Sequence, residues 1–128
     1  MLALTLVGVN TISLMPPKRP LSWQESIGTI IFAPVVETFL LAGLVNILSR
    51  VTKRPVQIAA LSALLWGSFH ALFGLLWFFG TVWSFFVFTV AYIVWKKVTF
   101  SHGLVAASLP HALVNSSAML LLLLAERG

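Results

Sequence analysis

Residues 21–48 read LSWQESIGTIIFAPVVETFLLAGLVNIL, and the fold turns on whether this stretch lies in water or in lipid. It exceeds the roughly 20 mainly apolar residues that a helix needs to cross a bilayer. Its only charges are Glu25, near the start, and Glu37, near the middle. An acidic residue at a helix centre costs about 2.5–3.5 kcal/mol on insertion scales, while each Leu, Ile, Phe or Val returns about 0.3–0.6 kcal/mol. The apolar residues on either side of Glu37 therefore carry it into the membrane, and something must retain it there.

The rest of the chain repeats the pattern. Of its 128 residues 59% are apolar and 9% charged, against about 45–50% and 25% in a soluble domain. A soluble globular domain is excluded. Further apolar runs cover residues 55–73, 80–94 and 103–124, each expected to span. A shorter run at residues 2–15 is interrupted by Asn10, Thr11 and Ser13 and closed by Pro16 and Pro17. It lacks the basic leader and small-residue cleavage site of a signal peptide. The expected fold is thus all-α: a multi-pass transmembrane bundle of four spanning helices plus a short N-terminal membrane helix. It forms a single domain over residues 1–128, with its informative core at about 21–124.

The net charge of +5 sits in the gaps between apolar runs, as in a multi-pass membrane protein rather than a nucleic-acid binder. Arg50, Lys53, Arg54, Lys96 and Lys97 fall on one side, with Lys18, Arg19 and Arg127 on the other. The larger group is expected in the cytoplasm of a bacterial-type plasma membrane. Trp23, Trp77, Trp83, Tyr92 and Trp95 lie near expected helix ends, where amphipathic rings favour the interface. With no cysteine, disulfides, thiolate metal sites, iron–sulfur clusters and cysteine nucleophiles are excluded.

Three helices carry polar groups at compatible depth: Glu37, then His70, then His111 with Asn115. Intramembrane ionisable residues face the bundle interior and mark a pathway or a site. His111 and Asn115 are four residues apart and share a face. Gly67 and Gly74 flank His70, where the lack of a side chain lets a neighbouring helix approach. Pro34 withdraws a backbone donor three residues before Glu37 and can kink its helix. The four polar residues are expected to converge on one cavity opening towards the basic side. His102, after Ser101 as a candidate helix cap, reads as interfacial and solvated.

These residues, as Glu37-Thr38-Phe39-Leu40-Leu41-Ala42-Gly43, then Trp66-Gly67-Ser68-Phe69-His70, then His111-Ala112-Leu113-Val114-Asn115, resemble the three ordered motifs of the CPBP family. These are intramembrane proteases related to type II CAAX prenyl endopeptidases and to bacteriocin-processing and immunity proteins. The family pattern is E-E-x-x-x-R, an aromatic residue four before His, and H-x-x-x-N. Thr38 stands at the second Glu and Ala42 at the Arg, while the first Glu, both His and the Asn remain.

The resemblance implies an intramembrane endopeptidase acting on a peptide or membrane-protein substrate. It implies Glu37 as general base with His70 holding the water, and His111 with Asn115 as oxyanion donors. In a metal-dependent version Glu37, His70 and His111 would bind zinc, with water in a fourth position. A ligating Glu37 is then no longer a free base, and Thr38 supplies no second carboxylate, so the version without a cofactor is preferred. Three rivals keep their place: an inactive scaffold or immunity factor, a haem protein using His70 and His111, and a transporter with Glu37 as its ion site.

Overall fold

The computed structural model describes residues 22–127, all of whose regular structure is helical. The run at residues 2–15, Lys18 and Arg19 lie outside the described residues. Helix α1 spans Trp23–Val51, α2 Pro55–Ala71, α3 Leu75–Trp95 and α4 Phe100–Arg127. Three of them, α1, α3 and α4, are long and apolar enough to cross a membrane. Helix α2, with 17 residues, reaches about 25 Å at 1.5 Å per residue, at the short limit for crossing the ~30 Å hydrocarbon layer. The architecture is a multi-pass membrane bundle.

Local chemistry sets the ends. Ser22 starts α1 with a capping box, its side chain accepting from the Glu25 N–H while the Glu25 carboxylate accepts from the Ser22 N–H. Pro55 occupies the first turn of α2, where its missing N–H costs nothing. Thr99, not Ser101, caps α4 by accepting from the His102 N–H at 3.1 Å. The Thr99 hydroxyl also meets His102 Nδ1 at 2.7 Å, so His102 stays exposed at the helix entrance. Helix α3 begins at Leu75, five residues ahead of the run at 80–94, and the chain turns at residues 72–74. Gly80 lies inside the helix. The aromatic residues Trp77, Phe78 and Phe79 lie within this helix, Trp77 and Phe79 exposed and Phe78 half-buried.

The short turns put Arg50, Lys53, Arg54, Lys96 and Lys97 at one end of the bundle. The packed core lies in that half. Leu41, Ala42, Val45 and Leu48 of α1 meet Ile58 and Ala63 of α2, Phe85, Phe88, Tyr92 and Ile93 of α3, and Ala107 of α4. Lipid tails are as apolar as leucine, so close packing and interhelical hydrogen bonds hold such helices together. Gly67 supplies the packing: a Cβ there would collide with the Val82 side chain and press on Phe78. Gly74 lies buried in the α2–α3 turn, at a positive φ of 157° that favours glycine. One such hydrogen bond is that of the Thr89 hydroxyl to the Ser62 hydroxyl, 3.1 Å apart and buried between α2 and α3. Outside this core, large apolar side chains such as Ile31, Phe32, Leu109, Leu113 and Leu121 are exposed. That surface suits lipid and not water.

Candidate active site

Helix α1 is irregular just before Glu37. Residues Gly28–Phe32 form a π-helical turn, in which the Ala33 N–H bonds the Gly28 carbonyl five residues back. The next donor in that register would be residue 34, but Pro34 has no N–H. The Thr29 carbonyl is thereby left without its helical partner, and the side-chain amide of Asn115 donates to it at 2.8 Å. The kink expected from Pro34 takes the form of a wide turn, and a neighbouring helix supplies the missing donor.

One turn further on, the Glu37 carboxylate faces α4. Its Oε2 lies 3.4 Å from His111 Nε2 and has no hydrogen-bond partner. His111 is buried, with its ring stacked on Phe88 at 4.7 Å and edge-on to Phe85 at 5.2 Å. Phe85 stacks in turn on Trp66 at 4.7 Å, the aromatic residue four before His70. His70, at the end of α2, directs Nδ1 to the Trp66 carbonyl at 2.9 Å. A carbonyl only accepts, so Nδ1 carries the proton and a neutral ring keeps Nε2 as an acceptor. The His70 ring is flanked by Phe85 at 5.8 Å and lies parallel to Trp77 at 6.5 Å.

Glu37, His70, His111 and Asn115 all line one cavity of about 570 Å³. Its walls add Trp77, Phe85, Phe88 and Met119, and its other polar groups are Thr29, Thr81 and Ser84. Trp77 read in the sequence as an interfacial anchor. The structure places it on the cavity wall against His70. Phe85 and Phe88 gave no sequence signal at all, being apolar residues within an apolar run.

The cavity extends towards the end of the bundle away from the basic loops, whereas the sequence suggested an opening towards them. Glu37, Phe88 and His111 form its floor, and the lining continues to Thr29, Leu76 and Leu122 towards the other end. The cause is the length of α2, which ends one residue after His70 and leaves the space between α1, α3 and α4 unfilled beyond it. On the basic side the apolar core closes the bundle.

The two positions that depart from the motif face that core. Thr38 is 2% exposed, with its hydroxyl donating to the Pro34 carbonyl at 2.6 Å, and Ala42 is buried. Neither lines the cavity. Among the described residues, no three His, Cys, Asp or Glu side chains gather closely enough to hold a metal ion. Phe85 packs against both histidine rings. Glu37, His70 and His111 as placed here do not form the three-ligand zinc set.

Residues 19–117 match the model of the Rce1-like family, described as type II CAAX prenyl endopeptidase Rce1-like. The chain belongs to this family. No curated protein and no solved structure matches it. The family is one of proteases, which makes the chain a peptidase at family level and its substrate a peptide or membrane protein. Its apolar helices make it an integral membrane protein. The match contains Glu37, His70, His111 and Asn115 and ends just after the last of them.

Proposed function

We propose that this protein is an intramembrane endopeptidase that hydrolyses a peptide bond without a covalent enzyme intermediate. The observation that carries the reading is the unpartnered Glu37 carboxylate oxygen, 3.4 Å from His111 Nε2 on the floor of a cavity inside the membrane span. A carboxylate oxygen buried without a hydrogen bond from the protein is costly to keep, and service as a general base is one reason to keep it.

In this reading Glu37 takes a proton from a water whose other O–H is accepted by Nε2 of His70. The water oxygen forms a bond to the carbonyl carbon. The oxyanion so formed is met by the Nε2–H of His111 and by an Asn115 amide N–H, donors held in place before the charge develops. Glu37 then passes its proton to the amide nitrogen, the C–N bond breaks, and a carboxylic acid and an amine leave, the acid's proton passing to the amine to give a carboxylate and an ammonium. Phe85 and Phe88 support the reading by holding His111 in a fixed plane and by lowering the local dielectric, which strengthens each of these contacts. The charge bias across the helix ends supports placing the basic loops in the cytoplasm, and the cavity then lies towards the opposite side of the membrane.

The test is purified protein in detergent or liposomes, incubated with membrane-anchored peptides of varied sequence and analysed by mass spectrometry. Specific cleavage that survives strong chelators supports the reading. Complete loss on chelation, restored by zinc, would replace it with metal-dependent hydrolysis. Cleavage of nothing by the wild-type protein would leave the inactive-scaffold reading.

A further inference from the structure

We infer that Pro34 is a positioning residue for Asn115, acting through the Thr29 carbonyl; this rests on the oxyanion role proposed for Asn115. Asn115 carries two amide hydrogens. One is donated to the Thr29 carbonyl at 2.8 Å. The side chain also lines the cavity, which leaves the second for the reacting carbonyl. An amide held at one hydrogen has its plane and its second hydrogen fixed, the pre-organisation that an oxyanion donor requires.

The anchor exists because of Pro34. In the π register set by the Ala33 N–H on the Gly28 carbonyl, any other residue at position 34 would bring an N–H to the Thr29 carbonyl or restore a regular α-turn. Either change gives α1 its own internal partner and removes the reason for Asn115 to bond there. Pro34 is also among the most buried side chains in the bundle, under 2% exposed, although it touches neither substrate nor reacting atoms in this mechanism. A proline in a helix interior disfavours the helix by roughly 3 kcal/mol, so a helix that keeps one beside its only mid-membrane carboxylate does so against its own stability.

The experiment compares wild type, Pro34→Ala, Pro34→Val, Asn115→Ala and the Pro34→Ala/Asn115→Ala double variant. Val fills more of the buried site than Ala, so a fault caused by lost packing differs between the two, whereas a fault caused by the restored N–H is shared. Kinetics with a cleavable peptide are read alongside the ¹⁵N side-chain amide signals of the three asparagines, Asn10, Asn46 and Asn115. Both Pro34 variants should lower kcat by roughly 10- to 100-fold, the scale of a slightly misplaced catalytic group, with KM within about twofold. The Asn115 amide protons should move to free-amide positions and exchange faster. The double variant should be no slower than Asn115→Ala alone, as expected for two residues acting in one chain of contacts. Wild-type kcat in both Pro34 variants, or unchanged Asn115 amide signals, would overturn the inference. If the wild-type protein cleaves no peptide, the proposed function falls, and the amide signals alone still decide the link between Pro34 and Asn115.

Discussion

Restoring the family's second glutamate at position 38 should damage this protein rather than improve it. Thr38 is 2% exposed, and its hydroxyl satisfies itself on the Pro34 carbonyl at 2.6 Å. Its surroundings are the apolar core, with Leu41, Ala42 and Val45 on the same helix all buried. A longer acidic side chain there meets neither the cavity nor a cation, since Ala42 also replaces the family's arginine one turn away. Leaving one buried charge without its partner costs about 3–5 kcal/mol, a large share of the roughly 5–15 kcal/mol that holds a typical domain folded. Thr38→Val, which removes only the hydroxyl, should cost about 1 kcal/mol. Thr38→Glu with Ala42→Arg should recover part of the loss, because the two positions are four residues apart on one helix face. Unfolding of the purified protein in mixed micelles by SDS titration gives all three values. A Thr38→Glu protein as stable as wild type and faster in cleavage would show that position 38 faces the cavity, and the account of the core would be wrong.

Asn115→Ala should slow turnover by about 10²–10³-fold with little change in KM, the usual effect of losing one oxyanion donor; an equal loss spread onto KM would point to substrate binding instead. Gly67→Leu should separate α2 from α3 at Val82 and Phe78 and lower stability by about 1–3 kcal/mol, as overpacking does; an unchanged SDS midpoint would contradict the close crossing. Since the chain has no cysteine, single cysteines report sidedness directly. Those at Thr52 and Thr99, in the basic loops, should resist an impermeant thiol reagent added to intact cells, while one at Leu76, on the cavity lining, should react. Labelling at Thr52 and Thr99 with protection at Leu76 would invert the orientation.

Much of the site was legible because polar residues stand out in an apolar sequence. Glu37, His70, His111 and Asn115 break runs that otherwise contain little to hydrogen-bond, and all four meet at one cavity. The walls were not legible for the converse reason. Phe85 and Phe88 are indistinguishable from lipid-facing neighbours when every face of the helix is apolar, and Trp77 at a helix end looks the same whether it meets headgroups or a histidine. The extent of the cavity depended on a boundary: α2 stops one residue after His70, whereas the apolar run continues to Phe73 and conceals that end. Pro34 signalled a break in the helix, but the sequence could not show that Asn115, 86 residues from Thr29, supplies the missing donor.

Proteolysis by the Glu37→Gln variant tests the central claim most directly. Gln keeps the side chain's size and can still hydrogen-bond His111, from which Glu37 Oε2 lies 3.4 Å, but it cannot take a proton from water. The variant should fold, with a wild-type helical spectrum and SDS midpoint, and should cleave no peptide that the wild-type protein cleaves. A folded Glu37→Gln protein with wild-type kcat would contradict the account.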